Sequence, residues 1–156
     1  MLWYIMADHL SQAELERLLQ QARVERHEGQ TSFTLELEYR QTCLFLVIKG
    51  RILMPIIPDD FIDKFNQLVE NGQGHGVAID LRGCDYLSSG AISFLVNVFH
   101  EALDRGQQVV MLQPPDKVRK LIDILGLNHF FLIVEDDVTA IAYLNEQRRV
   151  RHLPPG

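Results

Sequence analysis

The feature that most constrains this chain is a change of hydrophobic period around residue 43. Phe33, Leu35, Leu37 and Tyr39 alternate with Thr34, Glu36, Glu38 and Arg40, the period of two expected of a strand with one face in water. Gln41 and Thr42 then allow a tight reversal. Residues 43–48 are apolar at every position, as in a strand covered on both faces, and Lys49-Gly50 closes it. These two strands therefore read as a hairpin whose second member lies inside a sheet.

Beyond the hairpin, helical and strand-like stretches take turns. Pro58-Asp59-Asp60 starts a helix with Phe61, Phe65, Leu68 and Val69 inward, ended by Asn71-Gly72, and residues 77–81 form a buried strand. A second helix follows Ser88-Ser89, with Ile92, Leu95, Val96, Phe99 and Leu103 on one face and Arg105-Gly106 as its stop. Residues 109–112 are the next strand. Pro114-Pro115-Asp116 opens a third helix with Val118, Leu121, Ile122 and Leu125, closed by Gly126. Residues 130–134 are a strand, and Asp136-Asp137 caps a last helix with Val138, Ile141, Ala142 and Leu144. The order β-β-α-β-α-β-α-β-α predicts an α/β fold with a single central sheet of about five strands and helices packed on it.

Ahead of the hairpin, Leu15, Leu18, Leu19 and Ala22 recur at helical spacing within residues 11–25, and Ser11 with Glu14 forms an S-x-x-E capping box. Glu14, Glu16, Arg17, Gln20, Gln21 and Arg23 leave this helix one apolar stripe. Two roles fit: a cover on the domain, or a self-association or partner-docking helix helped by Leu2, Trp3, Tyr4 and Ile5, which would make a homodimer through the N-terminal extension. The chain thus divides into a helical extension (1–30), a main domain (31–147) and a basic tail (148–156) with three arginines and Pro154-Pro155, expected to be disordered.

Composition removes several function classes. The 156 residues fit one domain, large enough to be stable without a metal or disulfide. The two cysteines, Cys43 and Cys84, sit in apolar sequence that fits buried thiols, with a redox role or a pairing as the alternative. Fifteen basic against twenty-one acidic side chains give a net charge of −6, which argues against nucleic acid as a partner. The longest apolar stretches, 1–6 and 43–48, fall far short of the roughly 18 residues of a spanning helix, and no signal peptide is read at the start. A cytoplasmic protein with no membrane insertion is the expectation.

Few residues offer chemistry. His9, His27, His75, His100, His129 and His152 never stand at i, i+4 or beside a second ligand type in a metal-binding register, so no metal site is expected. Gly72, Gly74 and Gly76 precede a strand, whereas a dinucleotide loop must follow one, so this run reads as a turn. No G-x-x-x-x-G-K-[ST] is present to cradle ATP phosphates. The G-x-S-x-G of a hydrolase fails at Tyr86, two positions before Ser88, and no cofactor or catalytic residue is expected.

The informative segment is VAIDLRGCDYLSSGAISFL, residues 77–95, where a buried strand is followed by two serines in the first turn of a long amphipathic helix. A serine there has a structural role: its hydroxyl accepts a bond from an orphan N–H and stabilises the helix by about 1 kcal/mol. It also has a regulatory one. A phosphate adds about −1.5 to −2 charges at pH 7, tolerated at a helix N-terminus yet repulsive to a partner docked over it. Gly90 and Ala91 leave that helix end open to an approaching surface.

Preceded by Gly76, this segment closely resembles the signature of STAS domains, particularly those of anti-sigma factor antagonists. Ile48-Lys49-Gly50-Arg51-Ile52 is similar to the family's Gly-Arg-Leu segment, residues 106–112 to its glycine-led strand, and residues 118–127 to its Leu…Gly-Leu helix end. The resemblance covers about 33–144 and implies a STAS-like single central mixed sheet, with the N-terminal helix as an addition. Aligned without gaps from Asp80, the family's phosphoacceptor falls on Ser89, with Ser88 as second candidate in place of the Asp that commonly precedes it.

The resemblance further implies a non-enzymatic protein. Unphosphorylated, it binds a serine-kinase anti-sigma factor, a histidine-kinase-like ATPase; phosphorylated on Ser89 it lets go, and a phosphatase resets it. The contact surface would be Asp85, Ser88, Ser89, Gly90 and Ser93 with Arg51 and Pro115 from neighbouring loops. The alternative is a STAS module serving, without phosphorylation, as a structural subunit of a sensory or lipid-transport assembly.

Overall fold

The structure is a computed structural model that describes residues 10–54, 56–71 and 76–151. Leu2, Trp3, Tyr4 and Ile5, Gly72 and Gly74 of the glycine run, His9, His75 and His152, and Pro154-Pro155 lie outside the described residues. The elements are α1 (Gln12–Gln21), β1 (Val24–Glu28), β2 (Thr31–Arg40), β3 (Cys43–Ile52), α2 (Phe61–Asn71), β4 (Val77–Leu87), α3 (Ser89–Asp104), β5 (Val109–Leu112), α4 (Asp116–Ile124), a 3-10 turn at Leu127–His129, β6 (Leu132–Val134) and α5 (Asp137–Arg151).

All strands join one mixed sheet in chain order, β1-β2-β3-β4-β5-β6. The first two pairings are antiparallel and the rest parallel. The two-residue reversal at Gln41-Thr42 joins β2 to β3, with Arg40 opposite Cys43 and Gln41 taking a positive φ of 55°. Parallel strands added in sequence through crossovers of one hand must place every connecting helix on the same face. Accordingly α2, α3 and α4 pack over one core that includes Phe33, Leu46, Phe61, Phe65 and Ile79, where α1 joins them, and among the described residues α5 is the helix on the opposite face, against Phe45, Ala78 and Leu112.

β3 shows why the fully apolar run is needed. Leu44, Leu46 and Ile48 face the larger core, while Cys43, Phe45 and Val47 face α5, and all six are buried. Each such large side chain contributes about 1.5–3 kcal/mol of burial. The α5 side is also pinned electrostatically. Asp80, 4% exposed, accepts from the Arg82 backbone N–H at 3.1 Å and from Arg82 Nη2 at 2.8 Å, and Asp137 at the start of α5 meets Arg40 Nη1 at 2.8 Å and Arg82 Nη2 at 2.6 Å. Burial alone would raise the Asp80 pKa, but Arg82 with Arg40 outweighs it and holds the carboxyl below its ordinary range.

Several elements differ from the sequence expectation. The first helix ends at Gln21 rather than near 25, and a sixth strand follows it. In that strand only Val24 is buried; Arg23 ion-pairs with Glu25 and the His27 ring nitrogen lies 3.1 Å from the same carboxylate, so its alternation is nearly all polar. β4 continues to Leu87 instead of ending at Leu81, because register shifts in the β3–β4 ladder re-aim the strands and allow pairing to resume at Gly83 and Cys84. The last sheet strand begins at Leu132, after the 3-10 turn, and not at 130. α5 runs through Arg151, into the stretch read as a tail.

Four expected core residues are exposed. Leu103 borders a stripe centred on Leu95 and Ala102, Leu125 leaves the helix at the C-cap before Gly126 turns the chain with φ 72°, and Val138 flanks an α5 stripe made by Ala140, Ile141 and Leu144. Ala142 is exposed as well. In α1, Leu15, Leu18 and Leu19 pack against this domain's own core, and Lys64 Nζ donates to the Gln21 carbonyl at 3.1 Å, so the apolar stripe serves as a cover.

Cys43 and Cys84 are buried and not joined in a disulfide, and burial pushes Cys84 up to about 12. Among the described residues there is no helix long and apolar enough to cross a membrane and no cluster of His, Cys, Asp and Glu able to hold a metal ion.

Candidate functional site

The candidate site begins where β4 hands over to α3. Two register shifts in the β3–β4 ladder, between Val47 and Lys49 and between Gly50 and Arg51, place Arg51 opposite Tyr86 and Ile52 opposite Leu87. The Ser88 N–H donates to the Ile52 carbonyl at 2.9 Å, fixing the point at which the chain leaves the sheet. Ser88 is the N-cap: its backbone is extended, its Oγ accepts from the Ala91 N–H at 3.2 Å, and its carbonyl accepts from Ile92 at 3.0 Å.

Ser89 is the first helical residue and is exposed, as are Gly90 and Ser93. Ala91, Ile92 and Leu95 on the opposite side of the helix are buried. The Ser93 hydroxyl donates to the Ser89 carbonyl at 3.1 Å, and the Ser89 hydroxyl meets no partner among the described residues. The N–H groups of Ser89 and Gly90 likewise have no protein acceptor there, and the first turn of α3 carries no carboxylate. Free amides at the positive end of a helix dipole, with no local anion, favour an added negative group.

The other expected site residues gather around this end of the sheet. Asp85 is exposed on β4, and the Arg51 guanidinium lies 5.4 Å from the Tyr86 ring centroid. Pro115 is the half-buried N-cap of α4 and makes no side-chain capping bond. Its helix reaches β4 through a groove of about 240 Å³ in which Lys117, Leu121 and Ile124 meet Tyr86 and Leu87. Sequence reasoning passed over Tyr86, Lys120 and Ile124. Ile124 broke the apolar periodicity of its helix, and that break was the available signal.

The loop after β3 is tied to the same end. Buried Thr31 accepts from the Leu53 and Met54 N–H groups at 3.2 and 3.1 Å, holding exposed Met54 near the start of β2.

Fold and site together define a small α/β domain whose distinctive surface is a serine-bearing helix start beside a parallel β-pair. A family model described as "Mlab, STAS domain" matches residues 37–135, more than half of the chain. The chain belongs to the STAS domain family.

Solved structures share the architecture at low identity. An anti-sigma factor antagonist from Mycobacterium paratuberculosis matches with a TM-score of 0.62 and 15% identity, covering 76% of this chain and 99% of that one. The anti-sigma factor antagonist SpoIIAA in its unphosphorylated form matches at 0.57 and 16%, covering 78% and 99%. The phosphorylated form of SpoIIAA, a Bacillus cell fate determinant, matches at 0.51 and 13%, covering 70% and 98%. No curated protein matches the chain.

Proposed function

We propose that this STAS domain is a partner-switching regulator of the anti-sigma factor antagonist kind. Unmodified, it binds a serine-kinase anti-sigma factor over the start of α3; phosphorylated on Ser89, it is released, and a phosphatase restores it. The kinase is a histidine-kinase-like ATPase that brings its own ATP, so this cytoplasmic chain acts by binding and needs no cofactor.

The observation that carries the reading is the division of labour between the two serines. Ser88 already caps the helix, which leaves the exposed Ser89 hydroxyl available for modification. A phosphate there meets free amides and a helix dipole worth about 0.3–1 kcal/mol, so the fold survives. A partner seated on Ser89, Gly90 and Ser93 loses contact through charge repulsion and the cost of desolvating the phosphate. SpoIIAA, whose fold this chain shares, has been solved in both phosphorylated and unphosphorylated forms, which supports such a use of the fold.

The test is binding of the candidate kinase to variants. Ser89→Asp stays folded and binds at least about tenfold more weakly, while Ser89→Ala binds like the parent protein. Equal binding by Ser89→Asp overturns the charge switch.

A second reading is favoured by the family model, described for Mlab, and by Ser88 standing where the antagonists commonly carry Asp. In it the domain is an unphosphorylated structural subunit of a sensory or lipid-transport assembly, and Ser89 only begins a helix. Neighbouring kinase and phosphatase genes favour switching; neighbouring transporter genes favour the subunit.

A further inference from the structure

Next to the helix start, the groove between β4 and α4 combines three properties. It is lined by apolar surface from Tyr86, Leu87, Val118 and Leu121, and it ends at Ile124, which is 80% exposed. At about 240 Å³ it is smaller than the roughly 300–1,000 Å³ of most small-molecule sites and suits an anchor side chain presented by another protein. Its rim is basic. Lys117 and Lys120 line it, whereas Asp116 and Asp123 of the same helix do not.

These cations are uncommitted. Arg23, Arg40, Lys64, Arg82 and Arg105 all have carboxylate partners. Lys117, Lys120 and Arg51 have none among the described residues, and Arg51 rests only on the Tyr86 ring. On a chain of net charge −6, two lysines on the rim of one apolar groove, with Arg51 against the Tyr86 ring that lines it, form a local field opposite to that of the whole molecule.

We infer that the groove receives an acidic amphipathic segment of the partner protein. An apolar side chain enters between Tyr86 and Leu121, and flanking carboxylates meet Lys117, Lys120 and Arg51. The inference rests on the proposed function in taking the occupant to be the switching partner. It also gives the switch a second lever, because Tyr86 and Leu87 lead directly into Ser88, and a phosphate on Ser89 then sits beside a docked acidic segment.

The experiment measures fluorescence anisotropy of two labelled amphipathic peptides, leucine–glutamate and leucine–lysine, against the full chain. The glutamate peptide binds at least about tenfold more tightly, a Lys117→Glu/Lys120→Glu protein reverses the preference, and Ile124→Ser weakens the glutamate peptide about fivefold. All three positions are solvent-facing, and circular dichroism confirms that the variants fold. Equal binding of both peptides, binding of neither, or binding only to phosphatidylglycerol vesicles overturns the inference. None of these results bears on phosphate transfer to Ser89, so failure of the groove and failure of the switch are told apart.

Discussion

Ser88 closes the helix that Ser89 begins: its Oγ accepts the Ala91 N–H at 3.2 Å, while the hydroxyl one residue later is exposed and unbonded among the described residues. Adjacent serines therefore differ in what their removal costs. Ser88→Ala lowers stability by about 1 kcal/mol and Ser89→Ala changes it by less than about 0.5 kcal/mol. Urea denaturation of the two variants checks this; equal losses contradict the division of roles.

Gly50 supports the site from the neighbouring strand. Its φ is +95°, and an added Cβ would lie 2.2 Å from the Ser32 carbonyl oxygen, a backbone atom that cannot swing away. Gly50→Ala costs at least about 2 kcal/mol and displaces Arg51 from Tyr86. A thermal melt with tyrosine fluorescence as the readout follows both effects, and a melt unchanged within a degree refutes the claim.

Asp80 makes stability fall in acid. Its folded pKa is depressed, so its contribution is complete above the unfolded value of about 3.9 and disappears as pH drops through the lower folded value. Partly exposed Arg82 moderates the magnitude, and Asp80→Asn costs about 2 kcal/mol at pH 7. Denaturation at pH 7 and in acid shows the difference from the parent shrinking as the carboxylate protonates; a difference constant with pH contradicts the assignment.

Much of this architecture was legible because burial on two faces leaves a clear trace. Residues 43–48 have no polar member, and the structure buries all of them between two helical layers. β1 left almost no trace, since one buried valine among Glu25, Arg26, His27 and Glu28 looks like a loop, and it is the β2 pairing that makes it a strand. The extension of β4 was hidden by Arg82-Gly83, which reads as a stop locally but is a register shift in the sheet. At the site, Ser88 and Ser89 stood out by sequence position. Which of them caps the helix was a matter of geometry, as was the approach of Lys117 and Lys120 to Tyr86 from 31 and 34 positions along the chain.

The most direct test is phosphate transfer. The full chain, Ser88→Ala and Ser89→Ala are each incubated with ATP and a candidate histidine-kinase-like ATPase of the anti-sigma factor kind, and phosphate is located by mass spectrometry. Phosphate on Ser89 in the parent and in Ser88→Ala, none in Ser89→Ala, and release of the modified protein from the kinase is the expected result. No incorporation, or phosphate at another residue with Ser89 untouched, contradicts the account.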